Sequence, residues 1–235
     1  MRKITTPLKG LLLGSLALAM LAMSSGCTKM RTRLEYEKLE SIHDKFATGW
    51  IDGARQDITG FLEMHERNAT AWVIRGNILS NSDAYWEALY AYQRALLLDD
   101  GIAAAHRGLG VLFSQNEEFD RAIIHYEKSL DLDSYDAQTM TSLSVTYLKT
   151  QQFKKAMEWG ERAYETDGED ALIMAHLCLV YHFNGEYAKR EQLYSKAKRY
   201  GYDGMDGVDK IIRGELRIFP EETEAEQKVL AGVEE

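Results

Sequence analysis

Proline is nearly missing from this chain: two residues in 235, Pro7 near one end and Pro220 near the other. An internal proline deletes a helical hydrogen bond and clashes with the preceding turn, so nothing between these two forbids long helical order. Cysteine is equally scarce, with Cys27 and Cys178 alone. That excludes a disulfide-framed mini-domain, although the count by itself still allows one Cys27–Cys178 bridge. No apolar run reaches the roughly 20 residues of a membrane-spanning helix; the stretch Leu11 to Met23 falls short. Positive charge is in deficit, with 28 Lys and Arg against 37 Asp and Glu and a formal net charge of −9. An acidic surface repels phosphate backbones and anionic headgroups, which argues against nucleic acid as a partner and against a polybasic membrane footprint.

Catalytic signatures are missing too. There is no GxSxG, HExxH or paired CxxC, and Gly108 and Gly110 form only a fragment of a phosphate-binding loop. Asp131, Asp133 and Asp136 resemble the start of a calcium loop, but its sixth and twelfth positions, glycine and glutamate, are Asp136 and Ser142 here. Cys178 and His182 lie four apart, one helical turn, yet two ligands do not make a structural zinc site. Cys178 reads better as a buried thiol at a small packing position. His106, His176 and Trp72 read as core or its edge. The expectation is a non-enzyme with no cofactor, no metal and no small-molecule substrate.

What is present begins with a leader. Arg2, Lys3 and Lys9 precede the apolar run, and Ser24, Ser25 and Gly26 follow it, the basic–apolar–small order of a secretory signal peptide over residues 1–26. The next residue is Cys27. The segment Ser24-Ser25-Gly26-Cys27 resembles the bacterial lipobox, with Ser24 where that motif prefers leucine. The resemblance implies cleavage before Cys27 and acylation of its sulfur. Thr28, not aspartate, follows it, which implies an outer-membrane anchor facing the periplasm. Residues 27–34 are then a lipidated N-terminus and short linker. Thr28 to Leu34 reaches roughly 25 Å at 3.3–3.6 Å per residue, keeping the body close to the membrane.

From Ala69 onward the chain repeats every 34 residues without a gap, restarting at Ala103, Ala137 and Ala171. The eighth position is small throughout: Gly76, Gly110, Ser144, Cys178. The eleventh is Leu79, Phe113, Tyr147, Tyr181; the seventeenth is aromatic, Tyr85, Phe119, Phe153, Tyr187. The twentieth is Ala88, Ala122, Ala156, then Arg190, and Tyr92, Tyr126 and Tyr194 hold the twenty-fourth. Small residues let two antiparallel helices approach, aromatics fill the space between neighbouring pairs, and spacings of three and four give each helix one apolar face. A pair cannot bury that face alone, so it must stack on the next.

This pattern resembles the tetratricopeptide repeat, with Trp72-Val73-Ile74-Arg75-Gly76 and Tyr85-Trp86-Glu87-Ala88 close to that family's consensus. Arg75 departs from its leucine, and Asp100, Ser134 and Gly168 replace its turn proline. The resemblance implies an all-α solenoid of about five helix pairs over 35–216, with repeats near 35–68, 69–102, 103–136, 137–170 and 171–204. Arg190 in place of alanine implies looser packing in the fifth pair. Val208, Ile211, Ile212 and Leu216 read as a capping helix with Asp206 as its N-cap, followed by an acidic, fraying tail over 217–235.

In that family the first helix of each pair lines a protein-binding groove. The matching positions here are Thr70, Val73, Asn77, Arg107, Val111, Gln138, Thr141, Val145, Lys149, Leu179 and His182. Asn77 and Arg107 form part of the set with which some relatives clamp a peptide carboxylate. Lipobox and repeats together resemble the pilotin lipoproteins of type IV pili and the assembly lipoprotein of Flp/Tad pili. The implied role is a lipid-anchored scaffold that binds a secretin or pilus subunit. The alternative is an adaptor that docks periplasmic proteases or cell-wall hydrolases.

Overall fold

The computed structural model describes residues 32–82, 84–216 and 218–219; the leader, Cys27 and residues 220–235 lie outside them. The described residues form helix pairs. A helix over 32–47, α1, is followed by α2 (Ile51–Met64), α3 (Ala69–Ser80), α4 (Tyr85–Leu98), α5 (Ala103–Gln115) and α6 (Phe119–Leu132). Then come α7 (Ala137–Lys149), α8 (Phe153–Thr166), α9 (Ala171–Phe183), α10 (Tyr187–Arg199) and α11 (Met205–Ile212). In the four clear repeats every first helix begins at position 1 and every second helix at position 17. Helix α1 already covers 32–34, within the segment assigned by sequence to the linker.

The helix ends explain this regularity. Asn68, Asp136 and Asp170 stand at position 34 and accept backbone N–H groups of the following first turn, which leaves those donors satisfied. At the other end, position 15 takes a left-handed backbone in each repeat where it is described: Gly49 (φ 82°), Glu117 (φ 61°), Gln151 (φ 57°) and Gly185 (φ 76°). The next N–H then returns to the carbonyl five residues earlier, as in Glu118 to Phe113 (2.9 Å), Gln152 to Tyr147 (2.8 Å) and Glu186 to Tyr181 (2.9 Å). This is the Schellman closure, and it sets the tight turn within each pair.

Small residues do their work at position 8. A β-carbon on Gly76 would meet the Tyr92 ring at 2.5 Å, and one on Gly110 would meet the Tyr126 ring at 2.6 Å. Where serine replaces glycine, the large partner shrinks: Ser144 faces Gly160 at position 24 and donates its hydroxyl to the Ala156 carbonyl, 2.6 Å away. In the fifth pair the Cys178 thiol donates to the Arg190 carbonyl at 3.8 Å. Ala88, Ala122 and Ala156 are fully buried, whereas Arg190 turns its guanidinium to His182 and Glu191.

First helices of successive pairs pack on one another, α3 on α5, α5 on α7 and α7 on α9, while among the described residues no second helix packs comparably on the next second helix. The stack therefore curves, with the first helices on its inner side. Helix α11 packs on α9 through buried Met205 and Val208. It starts one residue before Asp206, with Gly204 at the N-cap and no side-chain cap. Asp206 instead sits in the first turn, where a carboxylate favours the positive end of the helix dipole. The helix ends at Ile212, and Leu216 is exposed rather than part of its apolar face. Beyond it, Phe219 packs edge-on against Phe183 (5.0 Å between ring centroids) and Phe153 (5.9 Å).

Candidate functional site

The inner face holds a cavity of about 330 Å³ shared by three successive first helices. Helix α5 contributes Val111, Ser114 and Gln115; α7 contributes Gln138, Thr141, Ser142, Val145 and Lys149; α9 contributes Leu172, Ile173 and His176. Asp170, at the cap of α9, and Tyr126 complete the lining. Helical spacing explains this convergence: residues 138, 141, 142, 145 and 149 of α7 recur at intervals of three and four and share one face. The lining is apolar at Val111, Val145, Leu172 and Ile173, of which Ile173 is buried and Leu172 exposed. Its polar groups are spread around the edge, with Lys149 at the last turn of α7 and Asp170 before the first turn of α9.

Five residues expected from sequence, Val111, Gln138, Thr141, Val145 and Lys149, are brought together in this cavity. Lys149 places its ammonium 5.7 Å from the Phe119 ring and has no carboxylate partner among the described residues. The other six lie elsewhere. Thr70 is exposed at the start of α3 and Val73 is buried in the core. Asn77 accepts the Tyr92 hydroxyl at 2.8 Å. Arg107 donates to Asp136 (2.9 Å) and Gln138 (3.2 Å), so both parts of the suggested carboxylate clamp are engaged within the protein. Leu179 packs against the core. His182 shares a hydrogen bond with Arg190 at 3.1 Å, and burial, then that guanidinium, holds its pKa below the usual imidazole range.

Position 6 of the first helix was not expected to line the groove, yet Ser142 and His176 both do. The signal was available: position 6 lies four after position 2 and three before position 9, on the same face. Nδ1 of His176 is buried without a hydrogen-bond partner among the described residues, and burial lowers its pKa despite the nearby Asp170. A buried polar atom left open beside a cavity is a ready contact for an incoming donor or acceptor. The Cys178–His182 pair gathers no further ligand: among the described residues no three His, Cys, Asp or Glu side chains could hold a metal. The Cys178 thiol is pushed up to about 12, chiefly by burial, and is inert at neutral pH.

The family model described as tetratricopeptide repeat matches residues 81–137. No curated protein sequence matches the chain. Among solved structures, PilF of Pseudomonas aeruginosa is similar with a TM-score of 0.66 at 14% identity, covering 77% of this chain and 85% of that one. A thermophilic tetratricopeptide protein of Thermus thermophilus gives 0.65 at 13% identity, covering 77% and 97%. YrrB, a tetratricopeptide protein with an unusual peptide-binding site, gives 0.55 at 17%, covering 76% and 91%. The fold is an all-α tetratricopeptide-repeat solenoid.

Proposed function

We propose that the protein is a lipid-anchored binding scaffold whose inner groove holds a segment of an envelope protein during assembly of a pilus or secretin. The observation that carries the binding role is the cavity shared by α5, α7 and α9. It has an apolar lining, a cation in Lys149 with no carboxylate partner among the described residues, and in His176 a buried nitrogen with no hydrogen-bond partner among them. Such a surface suits an extended or helical segment held by apolar contacts and oriented by a few polar ones. The anchor rests on the resemblance of Ser24 to Cys27 to the lipobox and on the basic, apolar and small regions around it. The fold likeness to PilF favours pilus assembly over the adaptor reading.

Crosslinking the lipidated protein in its native envelope and identifying what is attached tests the role directly. A secretin or pilus subunit, lost when Val145→Lys puts a charge in the cavity lining, is the expected result. A protease or cell-wall hydrolase would instead make the protein an adaptor. Crosslinks indifferent to Val145→Lys would remove the groove as the binding site.

A further inference from the structure

The second helices of the five pairs present the outer face, and their positions 18, 22, 25 and 29 point the same way. At 3.6 residues per turn these four positions fall within about 60° of one another. In α2 they are Asp52, Gln56, Thr59 and Glu63; in α8 they are Lys154, Glu158, Glu161 and Glu165. In α10 they are Ala188, Gln192, Ser195 and Arg199, and in α6 three of the four are acids, with Ile124 the exception. The repeats thus report what the fold needs there, which is a solvated face. Helix α4 breaks the rule with Trp86, Tyr90, Gln93 and Leu97. Trp86 is 74% exposed, Tyr90 56% and Leu97 73%. Single exposed apolar residues are ordinary, and Ile124 of α6 is one; three large apolar side chains on one face, broken only by Gln93, at positions the sister helices keep mostly polar, are not a requirement of packing.

The surroundings of the stripe carry an excess of acid. The outer helix of the preceding repeat brings Asp52 and Glu63; that of the following repeat brings Asp120, Glu127 and Asp131, all exposed. The cations of these helices are fewer: Arg94 is held over the Trp72 ring (5.6 Å), Arg121 pairs with Glu118 and Arg55 donates to Ser82, which leaves Lys128 of α6 exposed among the acids. We infer that the outer face of α4 is a second docking surface, and that its occupant is a basic amphipathic helix of a partner protein. The partner's apolar seam covers Trp86, Tyr90 and Leu97, and its Lys and Arg flanks meet the acids of α2 and α6. A 14-residue helix is about 21 Å long, so the matching segment is about four turns. A second copy of this chain would set acid against acid across the seam, and an anionic lipid surface would meet the same repulsion. Because this face lies opposite the inner groove, both can be filled at once.

The sister helices supply a substitution the fold accepts. Trp86→Lys, Tyr90→Glu and Leu97→Glu, made together, give α4 three of the four stripe residues of α8 and a net change of one negative charge. The full chain is titrated with two labelled 14-residue model helices sharing a leucine seam, one flanked by lysines and one by glutamates, with anisotropy as the readout. The lysine-flanked helix is expected to bind the parent protein at least about tenfold tighter than the glutamate-flanked one. The triple variant should lose about tenfold or more of that affinity, although plain charge attraction would strengthen it. Val145→Lys should leave it unchanged, which separates this face from the groove. Equal binding of the two helices, or no loss in the variant, overturns the proposal. So does stripe-dependent binding to phosphatidylethanolamine–phosphatidylglycerol vesicles without the peptide effect, or a stripe-dependent dimer in ultracentrifugation.

Discussion

The ring of Tyr92 lies between two bare glycine backbones: Gly76 of its own repeat and Gly108 of the next, neither with room for a β-carbon. The ring is buried, and its hydroxyl donates to Asn77. One side chain thus joins α3, α4 and α5.

Gly108→Ala should therefore cost about 1–3 kcal/mol of stability, the usual effect of overpacking. Gly60, inside α2, has open space where a β-carbon would go. Gly60→Ala should stabilise by about 0.5–1 kcal/mol through helix propensity alone. Urea unfolding of the two variants should move in opposite directions; a neutral Gly108→Ala would mean that the ring relaxes freely.

At position 15 the left-handed backbone is a second test. A β-carbon on Gly49 or Gly185 meets nothing, so the cost of alanine there is backbone strain only. Each substitution should destabilise by about 1–2 kcal/mol. Gln151→Gly relieves that strain but loosens the unfolded chain, so its thermal midpoint should shift much less than that of Gly185→Ala.

Histidine makes the third repeat acid-sensitive. His106 and His125 face each other Nδ1 to Nδ1 at 3.0 Å. Burial, then His106 and Lys128, pushes His125 down to about 4, while burial and Lys128 lower His106. Unfolding returns these imidazoles toward 6.5, so between about 6.5 and 4 the unfolded chain binds more protons than the folded one. Stability is full above that window and falls as pH drops through it. Urea midpoints should decline from pH about 7.5 to about 5, and His125→Gln should flatten the decline. An unchanged slope would place the acid sensitivity elsewhere.

Cys178 offers a reporter. Fully buried, with its thiol pushed up to about 12, it should resist alkylation at neutral pH in the folded chain and react once the fifth pair opens. Peptide mapping after a maleimide pulse in rising urea would follow that opening. Rapid labelling in buffer would show that the last pair is open without denaturant.

Much of this architecture was legible because the repeat has no gaps: a single alignment placed the helix starts at Ala69, Ala103, Ala137 and Ala171. The turn geometry was not legible, since Glu117 and Gln151 occupy left-handed positions that glycine would have marked. Nor was the exchange of Ser144 for glycine against Gly160 for tyrosine, in which the small residue changes helix and which is invisible in either helix alone. Asp206 was misplaced because capping and first-turn positions both favour acids, one residue apart. At the groove, Asn77 and Arg107 looked free in sequence, but their partners, Tyr92 and Asp136, are set by how the pairs stack. His176 reads from sequence as core or its edge and lies half-buried at that edge, but its open nitrogen appears only once α9 is placed beside α7.

The contact of Phe219 with Phe153 and Phe183, together with α11 on α9, has a consequence for self-assembly. An array whose last pair is bare offers the next molecule a surface shaped like its own repeats, and such arrays can grow head to tail without limit. Here that terminal surface is spoken for by the chain itself. Any filament growing from this end would first have to peel α11 and Phe219 away from α9 and its neighbours.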